Sequence, residues 1–266
     1  MLFDSHCHLQ FHQYDEDRES IMADCKDRGM GLLIVGCDTK SSENAVVLAG
    51  SHTNIWATVG IHPTDSAEGF DYKKMKALCA SSQKVVAIGE TGLDYFHLPK
   101  EEQARAEQIH TQKELFLAHI ELAHELHLPL VIHSRDAHTD LLEILINRLT
   151  TPSAHGSHPQ KEFGVAHCFT GSVLEAQSYL DLGFLISFTG ILTFTHDYDE
   201  VVRAVSLEKI LIETDAPFLT PVPYRGKKNS PLYVEYVAKR IADIKGISYE
   251  DVVRATAENT KRLFKV

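Results

Sequence analysis

Short apolar runs alternate along the chain with longer stretches in which apolar residues recur at helical spacing. The runs fall at positions 2–4, 31–36, 55–60, 85–89, 129–133, 164–168, 184–188 and 209–214. Their length and aliphatic content predict about eight β-strands. The stretches between them read as helices. In 101–126, for example, Ile109, Leu115, Phe116, Ile120, Leu122 and Ala123 form an apolar stripe among charged residues. Positions 249–264 read as a closing helix. Runs such as Leu32-Leu33-Ile34-Val35 and Lys209-Ile210-Leu211-Ile212 are apolar without alternation, as expected of parallel strands covered by helices.

Eight strand–helix units predict an α/β fold of the TIM type, a (β/α)8 barrel. A doubly wound open sheet competes, but that fold usually carries a glycine-rich phosphate turn after an early strand, and this sequence has none. The 266 residues suit one barrel over 1–266, although a division at roughly 150 residues per domain would suggest two. The segment 150–161, TTPSAHGSHPQK, reads as a polar loop before the sixth strand rather than a domain boundary. Its His155 and His158 read as solvated side chains rather than ligands.

Composition narrows the class. With 44% hydrophobic and 24% charged residues the chain has material for a sizeable core. No secretory signal opens the sequence and no apolar run reaches the ~20 residues of a membrane span. Five cysteines, odd in number and without a CxxC pair, argue against a disulfide framework or a thiolate zinc site. A cytoplasmic protein with no membrane association is expected. The net charge of −11 weighs mildly against a polyanionic partner. The feature that needs explaining is the set of 16 histidines, several of which end apolar runs.

Asp4-Ser5-His6-Cys7-His8 follows the first run, and residues two apart in an extended chain project to one face, so His6 and His8 point together. Paired imidazoles hold zinc, manganese or iron well. Other runs end in similar chemistry: 85–89 leads to Glu90, 129–132 to His133, 164–166 to His167, and 209–214 to Asp215. A barrel gathers these strand ends around one mouth, where the active sites of this fold lie. Six ligands exceed the need of one tetrahedral ion and suit two ions about 3.5–4 Å apart. Glu90 is expected to bridge, with His6, His8 and Asp215 at one ion and His133 and His167 at the other.

The motifs DSHCHL (4–9), GIHP (60–63), GETGLDY (89–95), IHSRDA (132–137), AHCFTG (166–171) and ETDAPFLTP (213–221) resemble the TatD-related hydrolases of the amidohydrolase superfamily, nearly end to end. The resemblance implies a TIM-type barrel, two divalent ions (Mg, Mn or Zn) and a deoxyribonuclease, often a 3′-to-5′ exonuclease on single strands. Its metal ligands fall on His6, His8, Glu90, His133, His167 and Asp215, the set already collected from strand ends. The 150–161 loop looks longer than is usual in the family.

The expected reaction is hydrolysis of phosphodiester bonds at DNA ends, with RNA a second candidate, by metal-activated water. Asp215 is expected to orient or deprotonate that water. Arg135, Arg225 and His62 are candidates to contact the scissile phosphate. Arg225 lies in a locally basic loop, Tyr224-Arg225-Gly226-Lys227-Lys228. Asp94 and Tyr95 are weaker candidates to position substrate or histidines. Phe96, Phe169 and Phe218 could offer base-stacking faces, but phenylalanine near a barrel mouth is more often packing, so they stay outside the expected site. Glu213 shares a face with Asp215, either to hold a further ion or to lie deeper as a support. Hydrolysis of a small ester, amide or lactone is the alternative, and a metal-binding scaffold without turnover is a third reading. Oligomeric state is not legible.

Overall fold

The computed structural model describes residues 1–149 and 162–266. The 150–161 segment, with His155 and His158, therefore lies outside the described residues. Eight strands run β1 (Phe3–Cys7), β2 (Gly31–Ile34), β3 (Ile55–Val59), β4 (Val85–Asp94), β5 (Leu130–Arg135), β6 (Gly164–Ala166), β7 (Phe184–Phe188) and β8 (Ile210–Ile212). Each pairs in parallel with the next, so the sheet order is the chain order. The helices are α1 (Arg18–Asp27), α2 (Thr39–Gly50), α3 (Tyr72–Ala80), α4 (Glu102–Leu126), α5 (His138–Leu149), α6 (Val173–Asp181), α7 (Asp199–Ala204), α8 (Val234–Lys245) and α9 (Tyr249–Phe264). Strand and helix alternate, which gives a nearly closed (β/α)8 barrel.

The β1–β8 seam closes mainly through the residues at and beyond the strand ends. The Asp215 amide donates to the His6 carbonyl at 2.9 Å and the His8 amide to the Ala216 carbonyl at 2.8 Å. Deeper down, the Ser5 hydroxyl donates to the Ile212 carbonyl at 3.0 Å. The buried Asp4 carboxylate accepts from the Thr214 amide at 2.9 Å and from its hydroxyl.

Side chains alternate across the strands, so one apolar set faces the helices and the other fills the barrel. The first set includes Leu32, Ile34, Leu130, Ile132, Ile186, Ile210 and Ile212, packed with buried helix residues such as Phe116, Leu141 and Ile241. The second includes Phe3, Leu33, Ala87, Val131, Val165, Leu185 and Leu211. This inner set also contains Ala257, Leu263 and Phe264 of α9. The closing helix thus lies against β8 and β1 and ends in a plug of the inner core. Its start is fixed by Ser248, whose side chain accepts from the Asp251 amide.

Two strands differ from the sequence reading in a way that matters for chemistry. β4 continues through Glu90 to Asp94, and β5 through His133 to Arg135, so these residues sit inside strands rather than after them. Apolar content falls where a strand lines a polar mouth, so each apolar run stops before its strand does. The β4–β5 register shifts between Ile88 and Thr91. There the Glu90 amide reaches the Gly36 carbonyl at 2.8 Å, and the Thr58 hydroxyl donates to the Gly89 carbonyl. Gly89 has φ 140°, and a Cβ on it would strike the Val131 carbonyl. One on Gly60 would strike the Gly89 backbone. Both glycines are required by this close approach, which turns Glu90 into the mouth.

Candidate metal centre

Four side-chain atoms converge at the seam. His6 Nε2 lies 3.2 Å from His8 Nε2, 3.3 Å from Glu90 Oε2 and 3.7 Å from Asp215 Oδ1. His8 Nε2 lies 3.8 Å from Glu90 Oε2 and 3.3 Å from Asp215 Oδ1. A tetrahedral ion with bonds of about 2.0–2.2 Å separates its ligands by roughly 3.3–3.6 Å. Five of the six spacings among these atoms lie near that range, and His6, His8 and Glu90 form one group able to hold a divalent cation, with His6, His167 and Asp215 another.

A second group surrounds the other Glu90 oxygen. Oε1 lies 2.9 Å from His133 Nδ1 and 2.8 Å from His167 Nε2, and these two nitrogens are 3.3 Å apart. His62 Nε2 comes within 3.5 Å of the same oxygen, so His62 joins Glu90 and His133 in a cluster able to hold an ion. Glu90 therefore faces both groups, one oxygen to each.

The rings are held from behind, which fixes the nitrogen that each presents. His8 Nδ1 is 2.9 Å from the Val35 carbonyl, and His167 Nδ1 is 3.1 Å from Glu213 Oε1. His133 Nε2 is 3.3 Å from Asp94 Oδ2, and that oxygen also takes His97 Nδ1 at 2.8 Å. His6 Nδ1 is buried without a partner. Asp215 has a left-handed backbone, φ 54°, which asparagine and aspartate tolerate better than most residues. Its bond to the His6 carbonyl directs the carboxylate at His8.

Electrostatics follow from this crowding. Burial opposes ionisation of Glu90, yet His167, His62 and His6 around it hold the carboxyl well below the usual range. Asp215 is lowered in the same way, burial being outweighed by His8 and His6. Burial opposes protonation of His167 too, but Glu90 and Glu213 raise it well above an ordinary histidine. His62 has less compensation, so burial and the neighbouring His133 push it down to about 3.

The structure brings all six strand-end residues together, with His62 beside them. Arg135 and Arg225 are exposed at the rim, on Phe96 and Phe194 respectively, and among the described residues neither hydrogen-bonds or ion-pairs with the six. Phe169 is buried packing, as read, whereas Phe96 and Phe218 are exposed. Glu213 is fully buried behind His167, which makes it a support in this arrangement. Sequence reasoning passed over Cys37, whose Sγ lies 3.4 Å from His8 Nδ1 and 3.8 Å from Glu90 Oε2. Its place directly after the second apolar run was the available signal.

Comparison with known proteins agrees with this architecture. A family profile described as TatD related DNase matches residues 3–265. A Bacillus subtilis (strain 168) protein named as the uncharacterized metal-dependent hydrolase YabD is 40% identical, with all of both chains covered. The 3′-5′ ssDNA/RNA exonuclease TatD of Shigella flexneri is 34% identical, over all of this chain and 99% of that one. The crystal structure of YJJV, a TatD homolog from Escherichia coli, superposes with a TM-score of 0.87 at 26% identity. It covers all of this chain and 98% of the other.

Proposed function

The chain belongs to the TatD-related DNase family and is a metal-dependent hydrolase, and from that premise we propose that it cleaves phosphodiester bonds of DNA at single-stranded ends, 3′ to 5′. The observation that carries the reading is the pair of ligand clusters sharing Glu90, one oxygen to each. His6, His8, Glu90 and Asp215 would hold one divalent ion, and Glu90, His133 and His167 a second. Such ions, when bound, lower the pKa of coordinated water and stabilise the entering and leaving oxygens of a phosphodiester.

This chain's own side chains supply the rest. The Asp215 side chain is 15% exposed against 4% for Glu90, so Asp215 is the carboxylate within reach of an attacking water and takes its proton. Glu90, with both oxygens engaged, holds the two clusters in fixed relation. His62 stands beside Glu90 and His133, where burial keeps it neutral and able to donate to a phosphate oxygen. We place the enzyme in the cytoplasm as one functional unit over 1–266. All five cysteines are free, and among the described residues no helix is long and apolar enough to cross a membrane.

The test is metal-dependent release of mononucleotides from end-labelled single-stranded DNA, comparing chelated, Mg²⁺-loaded and Mn²⁺-loaded protein. Shortening from the 3′ end that needs metal and is lost in Glu90→Ala is the expected result. The net charge of −11 favours a second reading, hydrolysis of a small ester, amide or lactone. Intact DNA beside hydrolysis of such a compound would select it.

A further inference from the structure

Three of the twelve phenylalanines are exposed: Phe96 at 58%, Phe218 at 49% and Phe194 at 41%. All three lie on loops that follow strand C-terminal ends, β4, β8 and β7, around the mouth that holds the ligand clusters. Exposed aromatic rings beside such a mouth present faces on which bases can stack. Two of them carry a cation. Arg135 Cζ lies 3.9 Å from the Phe96 ring centre, and Arg225 Cζ lies 3.9 Å from that of Phe194. Among the described residues neither guanidinium has a carboxylate partner, and Arg225 donates only to the Thr220 carbonyl, at 2.8 Å. The third ring, Phe218, leans edge-on toward Phe11, which is stacked on His8 at 4.7 Å.

We propose that these rings are nucleobase platforms. Phe218 takes the base of the nucleotide whose phosphate lies at the ligand clusters. The Phe96–Arg135 and Phe194–Arg225 pairs take flanking nucleotides, ring to base and guanidinium to phosphate. A planar ring offers one face to any base and so reads no sequence. It needs that face free, so the substrate it selects is an unpaired strand. Two unpaired arginines beside the rings supply phosphate contacts locally in a chain whose overall charge would repel a polyanion. The inference rests on the nuclease reading and adds what holds the strand.

The experiment compares a ten-nucleotide thymidine oligonucleotide with an abasic chain of equal length and charge, using Mn²⁺-loaded protein. Binding is read by fluorescence anisotropy with Ca²⁺ in place of Mn²⁺, and turnover by product release. In Phe96→Leu, Phe194→Leu and Phe218→Leu the ratio of kcat/KM for the oligonucleotide to that for the abasic chain falls roughly tenfold each, with the loss in affinity. Phe→Trp restores the ratio. Arg135→Gln and Arg225→Gln weaken both chains alike. An unchanged ratio in all three leucine variants, with metal-dependent cleavage intact, overturns the platforms and leaves the nuclease standing. No metal-dependent cleavage of either chain removes the nuclease reading, and the platforms with it.

Discussion

Glu213 presents one carboxylate oxygen to two hydrogen bonds, from His167 Nδ1 at 3.1 Å and from the Cys168 amide at 2.7 Å, while its other oxygen is buried without a partner. A fully buried carboxylate behind a histidine fixes the ring's orientation and makes its outward nitrogen a stronger ligand. Glu213→Gln keeps the shape and removes the charge. Metal affinity, read by competition with a chelating dye, is expected to fall about 10–100-fold, and an unchanged affinity would remove the role. At this scale His6 and His8 were legible, because alternation alone puts residues two apart on one face. Glu213 was not: two positions before Asp215 it offers the same chemistry, and only depth in the barrel separates a ligand from a support. The exposure of Phe96 and Phe218 is not legible for a related reason, since hydrophobicity along a chain does not reveal which side of a loop a ring occupies.

Among the elements, α4 does more than cover the sheet. His119, in its middle, is fully buried; its Nδ1 lies 2.8 Å from the Leu115 carbonyl, and its Nε2 accepts the Ile61 amide at 3.0 Å. The helix therefore grips the chain just after β3, one residue before His62. Burial pushes this imidazole down to about 4, so it is neutral in the folded protein near pH 7. The unfolded chain, with an ordinary histidine near 6.5, binds the proton more readily. The stabilisation is complete above about pH 6.5 and is lost as pH falls toward 4. Between pH 7 and pH 5 the urea-unfolding free energy of the parent is expected to drop about 2 kcal/mol more than that of His119→Gln, which cannot titrate. Equal drops would contradict the burial argument. The extent of α4 was readable from its stripe, expected over 101–126 and observed as Glu102–Leu126 with Glu101 as its cap. The far half of β4 was not, because Glu90, Thr91 and Asp94 interrupt the apolar run that signals a strand.

For the whole molecule, eight apolar runs were enough to suggest a barrel, but closure was not written in any of them. It depends on how β8 meets β1, which joins residues more than two hundred positions apart through Asp4, Ser5 and Thr214. The same distance hides the role of α9, whose final residues complete the inner core from below. Phe264 is 3% exposed there, and Phe264→Ala should cost about 3–5 kcal/mol in chemical denaturation. A cost under about 1 kcal/mol would show that the barrel's inner layer does not rely on the helix. The seam has a further consequence. A chain cut anywhere between β1 and β8 leaves His6 and His8 on one piece and Asp215 on the other, so neither piece alone carries the whole cluster.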